Sequence, residues 1–191
     1  IAADARPAER IKVRSRGGFN HIVVAASGAR ELEWRAWLRT IGSQAEHERL
    51  TQLVLDSRGD AQRGGDVFRN VEQSLCLKCH RLNGTGGRIG PDLTGVGSRF
   101  SRIHLVESIL TPSRSIAPSY EPVAVLLTDG QVMTGVRVSE TSELLAIGDT
   151  KGVIHEIPRD RIDELQVQTQ SIMPEGLEQR LTPQQLVDLV S

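Results

Sequence analysis

Two cysteines in 191 residues, three positions apart with a histidine directly behind them, constrain this chain more than any other feature. They read Cys76-Leu77-Lys78-Cys79-His80, the C-x-x-C-H pattern of covalent haem attachment. Each position has a chemical task. Two thiols add to the two haem vinyl groups as thioethers, and their spacing fits both to one edge of the ring. The adjacent histidine then falls beneath the iron as its proximal ligand. The rival uses of such a pair fit less well. A structural zinc takes four ligands, and no second C-x-x-C or H-x-x-x-H pair follows. A thioredoxin-like redox pair belongs among alternating β and α elements, which the pattern here lacks. With both thiols consumed, no disulfide remains to staple the fold. Aromatic residues are only 3% of the chain, and a large apolar disc accounts for that shortage in the core.

Charge and hydropathy narrow the classes further. The 23 basic and 24 acidic residues nearly cancel to a formal net charge of -1. Bulk attraction to nucleic acid or to an anionic membrane is therefore not the organising principle. No apolar run approaches the ~20 residues of a membrane span; the best covers residues 22–26. The chain opens at Ile1 without a secretory signal, so it reads as a processed product or a piece of a longer protein.

Residues 1–18 are basic and irregular, as in a solvated linker or the tail of a preceding domain, and residues 21–26 read as a short strand. Trp34, Trp37, Leu38 and Ile41 fall at i, i+3, i+4 and i+7 of an amphipathic helix over 29–41, where both tryptophans read as core. A second helix spans about 43–57 with Leu50, Leu53, Val54 and Leu55 apolar, and Arg58-Gly59-Asp60 breaks it. The next, about 61–75, carries Val67, Phe68, Val71 and Leu75 on one side and delivers the chain to Cys76. Residues 83–90 are too glycine-rich for helix or strand and form a loop able to lie close against a flat cofactor. A helix over 102–110 buries Ile103, Val106, Ile109 and Leu110 and leaves His104 solvated beside Glu107.

From residue 121 the period changes to two. Residues 123–128 and 131–138 flank Asp129-Gly130 as a hairpin, with further strands at 143–147, 152–157 and 161–168. The result is a small β module of the sandwich or barrel kind. Val132, Thr134, Val136 and Val138 mark its apolar face, so Met133 points the other way. Thr182, Pro183 and Gln185 start a last helix with a capping box, and Leu186, Leu189 and Val190 begin its buried stripe. So short a helix is marginal, and its pattern invites continuation past Ser191.

Several motifs line up along this frame: Gly64 to Phe68 as Gly-x-x-x-Phe, the C-x-x-C-H run, Gly90-Pro91-Asp92-Leu93-Thr94, Gly97-Ser98-Arg99, Thr111-Pro112-Ser113-Arg114, and a final Met-Pro-x-Gly-Leu from Met173 to Leu177. In this order they resemble a class I c-type cytochrome, and more narrowly its planctomycete-type haem-binding branch. The resemblance covers residues 60–191. It implies a mainly α cytochrome c fold around one covalent haem c, with a small antiparallel β module at 121–168 inserted before the axial-methionine loop, α+β overall. Residues 1–59 are then an N-terminal helical extension or the end of a preceding domain.

The same resemblance assigns the site. Cys76 and Cys79 carry the haem, and His80 is the proximal ligand. The Pro91 carbonyl accepts from His80 Nδ1–H, which fixes the tautomer and raises ligand basicity. Leu93 presses on the haem plane. Arg99 reaches a propionate or is a solvated helix-start arginine, and Tyr120 is a second propionate candidate. Only two methionines exist. Met173 is the sixth ligand by its Met-Pro context, with Met133, a histidine or an open site as alternatives.

His/Met ligation leaves no vacant iron position, so the resemblance implies single-electron transfer rather than an enzyme. Its partners would be redox proteins or a fused dehydrogenase domain outside this chain. Haem attachment to reduced thiols places the domain in the periplasm or among exported proteins. If the sixth site is open or labile, the alternative is a haem c sensor or a peroxidase-like domain.

Overall fold

The computed structural model describes residues 12–16, 19–23 and 29–191, with side-chain surroundings described from residue 42 onward. It divides into two compact units, Ile1–Glu46 and His47–Ser191. In the first, β1 (Lys12–Arg16) pairs antiparallel with β2 (Phe19–Val23), Lys12 opposite Val23 and Arg16 opposite Phe19. Part of the expected linker is thus a strand. The available signal was Gly17-Gly18 between two short segments, a dipeptide that favours tight hairpins. The side chains of the tryptophan stripe, and residues 24–26 of the strand expected at 21–26, lie outside what is described.

Helix α1 runs unbroken over Ala29–Asp56, where two helices were expected. Gly42 costs a helix interior only about 1 kcal/mol relative to Ala, too little to break a run rich in Glu, Arg, Leu and Ala. Helix α2 (Ala61–Arg69) starts at Asp60, whose carboxylate accepts from Arg63 N at 3.0 Å. It ends six residues short of the expected stop. Val67 and Phe68 are buried as expected, but Val71 lies past the helix and is 40% exposed.

Helix α3 is the single turn Cys76–Cys79. Beyond it β3 (Arg81–Leu82) and β4 (Thr85–Gly86) form a minimal hairpin in what was expected to be plain loop. Asn83 and Gly84 at its tip have φ of 50° and 82°, as a type I′ turn requires. Helix α4 (Val96–Arg99) and helix α5 (Arg102–Leu110) follow. Ile103 is exposed rather than buried. His104 is half-buried, its ring stacked on the exposed Phe100 with centroids 4.6 Å apart.

Leu50 and Val54 of α1, Val106 and Leu110 of α5, and Leu186, Val187 and Val190 near the C-terminus form one buried cluster. Each fully buried aliphatic side chain there is worth about 1.5–3 kcal/mol. Leu55 faces outward at 41% exposure. The compact unit begins at His47, and these turns of α1 contribute Leu50 and Val54 to its core.

The sheet comprises β5 (Pro122–Leu127), β6 (Val132–Glu140), β7 (Leu144–Gly148), β8 (Ile154–Pro158) and β9 (Ile162–Val167) in the antiparallel order β8-β7-β6-β5-β9. A flat sheet would hold its two edge strands about 19 Å apart at the usual strand spacing. Only the short 3-10 turn Arg159–Arg161 joins β8 to β9, and its chain reaches at most about 14 Å. The sheet must therefore roll, and register shifts at Leu126/Leu127 and Arg137/Ser139 supply the bends. Rolling encloses Val123, Val125, Leu127, Leu145, Ile147 and Ile157 among strand residues alone. Met133 sits opposite Val125 and packs on this cluster, reversing the expected face; Val132 is 62% exposed. β6 pairs with β5 in unbroken register from Val132 to Val136, which puts Met133 on the enclosed face with Val125; Val132, Thr134 and Val136 take the other face, so their apolar pattern did not mark the enclosed one.

Helix α6 (Pro183–Leu189) has the expected capping box: Gln185 N donates to Thr182 Oγ1 at 3.2 Å and Thr182 N to Gln185 Oε1 at 2.8 Å. What holds this short helix was not foreseen. Asp188 is buried and accepts from Asp60 N at 2.9 Å, Arg63 Nε at 2.8 Å and Gln184 Nε2 at 3.0 Å. Gly64 lets α2 and α6 meet, since a Cβ there would lie 2.6 Å from the carbonyl carbon of Asp188.

Two predictions follow from this joint. Gly64→Ala forces backbone apart and should destabilise by about 1–3 kcal/mol in a denaturant titration, as overpacking does. The Arg63 guanidinium holds the Asp188 carboxyl well below the usual carboxylate range. A depressed folded pKa adds stability above the unfolded value near 4 and loses it as pH falls toward the folded one. Asp188→Asn should therefore lower the melting temperature at neutral pH and flatten its decline below about pH 4.

Candidate functional site

The approach to α3 is built by local hydrogen bonds. After α2, Ser74 Oγ donates to the Phe68 and Asn70 carbonyls at 3.3 and 3.1 Å and turns the chain back. Leu75 takes φ 64°, a left-handed conformation that costs an L-residue about 1–2 kcal/mol. It swings the chain into the turn, closed by His80 N donating to Cys76 O at 2.9 Å. Cys76 and Cys79 fall on one side of this turn, half-buried and unpaired. Burial pushes both thiols up, and the Asp149 carboxylate raises Cys79 further. Cys76 Sγ–H donates to Ser74 O at 3.6 Å.

His80 leaves the turn in extended conformation. Its Nδ1 lies 2.9 Å from the Pro91 carbonyl oxygen. A carbonyl only accepts, so the proton sits on Nδ1 and the lone pair on Nε2. Burial pulls the imidazole pKa down, with the Pro91 carbonyl opposing. Burial, the larger effect, favours the neutral ring, and the Pro91 bond fixes its proton on Nδ1 and leaves Nε2 available, the form that binds metal.

Around the imidazole the chain is stripped to backbone. A Cβ on Gly90 would stand 2.7 Å from His80 Cε1 and 2.8 Å from Nδ1, and one on Gly87 2.8 Å from the Lys78 carbonyl carbon. The strap closes with Gly87 N to Leu77 O at 2.9 Å, Ile89 N to Cys79 O at 3.1 Å and Gly90 N to Cys79 O at 2.8 Å. Leu93 N donates to Arg81 O at 2.9 Å, tying the Gly-Pro-Asp-Leu segment behind the histidine.

The sequence-derived residues thus divide. Cys76, Cys79, His80 and Pro91 are brought together, with Leu93 half-buried on the same strap. Arg99 is exposed, and its Nη2 donates to the Asp92 and Thr94 carbonyls at 3.1 and 3.2 Å. Tyr120 is half-buried in a turn closed by its own N–H to Ala117 O at 3.0 Å. Met173 is half-buried on the loop before the 3-10 helix Leu177–Arg180; its N–H donates to Ser171 Oγ at 3.1 Å, and Ser171 N to Ser113 Oγ at 3.2 Å. The motif reading missed Gly90 and Gly87 as packing positions, although their density beside the cysteines was the signal. It also missed Ile89, which is only 2% exposed.

These residues fit a haem held from its proximal side. Two free thiols share one turn, and an imidazole is fixed in the right tautomer with its surroundings cut back to glycine. Among the described residues no three His, Cys, Asp or Glu side chains converge as a metal site.

No protein-family model matches the chain. It is 36% identical over 69 residues to a protein of Synechocystis sp. (strain ATCC 27184 / PCC 6803 / Kazusa) described as "Cytochrome c-553-like". The match covers 36% of this chain and 61% of that protein's length. The likeness supports a c-type cytochrome.

Proposed function

We propose that the chain carries a monohaem, class I c-type cytochrome domain of the planctomycete type, spanning residues 60–191 with a β insertion at 121–168, and that it transfers single electrons. The observation that carries this reading is the imidazole of His80, set directly after the two-thiol turn and locked by Pro91 O at 2.9 Å with Nε2 free. The cytochrome-like relative supports it independently.

Haem c, when bound, supplies a one-electron iron couple at the end of the chain's own ligands. Cys76 and Cys79 hold the group through thioethers and keep it from leaving. His80 donates from Nε2, and its Nδ1–H, spent on the Pro91 carbonyl, makes the ring a stronger donor. Leu93 would press on the haem plane. Arg99, braced by two carbonyls, has guanidinium hydrogens left for a propionate, and Tyr120 is the second propionate residue. Met173 would be the second residue to hold the iron, through its thioether, a ligand that favours the ferrous state over bis-histidine ligation. If His80 and Met173 both ligate the iron, no position is left for substrate, and the domain would be an electron carrier rather than an enzyme.

The partners are then redox donor and acceptor proteins or a fused dehydrogenase domain, and the setting is the periplasm or outside the cell. Among the described residues no helix is long and apolar enough to cross a membrane.

Met173→Ala should remove the weak red sulfur-to-iron band of the oxidised protein and lower its reduction potential. An unchanged band and potential would mean the sixth site is open or held elsewhere, returning the domain to the sensor or peroxidase-like class. Gly90→Ala should push the His80 ring off Pro91 O; the expected result is a raised potential with a shifted low-spin ferric EPR spectrum. Unchanged values would detach the glycine strap from the axial ligand.

A further inference from the structure

The rolled sheet touches the haem-attachment segment at its β7–β8 end. Gly148, the last residue of β7, is buried against Ile89: a Cβ there would lie 2.7 Å from Ile89 Cδ1 and 2.8 Å from Cγ2. Ile89 precedes Gly90, the residue pressed on the His80 ring, and Ile89 N is itself bonded to Cys79 O at 3.1 Å. Gly148 cannot yield easily. It lies between Val136 of β6 and Ile154 of β8, hydrogen-bonded strands on both sides. The turn that follows is equally tight, with Asp149 Oδ1 accepting from Lys151 N and Val153 N at 2.9 Å each. Within it Gly152 packs on α3, where a Cβ would stand 3.1 Å from the Lys78 carbonyl oxygen.

We propose that Gly148 and Ile89 are positioning residues: through their contact the inserted sheet clamps the proximal strap and so sets how firmly His80 is held by Pro91. The inference rests on the proposed haem ligation by His80. It gives the β insertion a task in electron transfer, that of a rigid abutment which fixes the axial imidazole. The physical link is direct. An imidazole whose Nδ1–H is well bonded is the more basic ligand and favours the ferric state. Displacing Ile89 moves Gly90, loosens Nδ1–H from Pro91 O and raises the potential.

Gly148→Ala tests space alone, because Gly148 does not have the positive φ that disfavours L-residues. The experiment compares the holoprotein with Gly148→Ala, Ile89→Ala and the double variant, by redox titration and ferric EPR. Gly148→Ala is expected to raise the potential and shift the EPR g values, and the double variant to move both back toward the unmodified protein, since removing the isoleucine makes room for the methyl. Val125→Ala, inside the sheet cluster, should lower the melting temperature without moving either readout. If Gly148→Ala lowers the melting temperature but leaves potential and g values unchanged, or if the double variant does not revert, the clamp is refuted. Should Gly148→Ala fail to accumulate, Ile89→Ala alone must shift both readouts, and no shift refutes it equally. Absence of haem from the unmodified protein would instead overturn the function, and is recognisable before any variant is made.

Discussion

An imidazole has two nitrogens, and the structure spends one of them. His80 Nδ1 is committed to Pro91 O, which leaves Nε2 as the single donor and dictates on which side a metal must stand. Much else is arranged to permit that bond. The left-handed Leu75 starts the two-thiol turn, the Asn83-Gly84 hairpin brings the chain back, and glycines at 87 and 90 let backbone lie where side chains would collide with Lys78 and His80.

Two structural problems surround this clasp, and each is met by a different device. The chain must bring its first and last short helices together, and helix α6 is too short to be stable alone. Gly64 allows the close approach, and Asp188 is tied to Asp60, Arg63 and Gln184. The sheet must hold itself together, and it rolls until its own strands bury Val123, Val125, Leu145 and Ile147. A rolled, self-packed sheet is stiff, which makes it a suitable abutment for the proximal strap at Gly148 and Ile89.

How much of this the sequence reveals depends on the range of the interactions. Local chemistry is legible. The C-x-x-C-H run, the capping box at Thr182, helix α5 with its ends, and the Asp129-Gly130 hairpin are all encoded within a few residues of one another. Where tertiary context decides, periodicity misleads. Gly42 does not break α1, α2 stops before Val71 can join its apolar face, and the pairing of β6 with β5 turns Met133 inward beside Val125. The contacts at Gly64 and Gly148 join residues far apart in the chain, so no local pattern announces them. The Pro91 bond lies between: its geometry is on the strap, but its meaning came from the likeness of Gly-Pro-Asp-Leu to a known motif.

The central claim is that Cys76 and Cys79 carry one haem with His80 beneath it. The most direct measurement is the intact mass and pyridine-treated absorption spectrum of the denatured protein, purified from a host able to attach haem c. The account predicts a polypeptide heavier by one haem, coloured after acidic acetone, and a sharp ferrous band on reduction of the native protein. A colourless polypeptide of unmodified mass with two free thiols would contradict it.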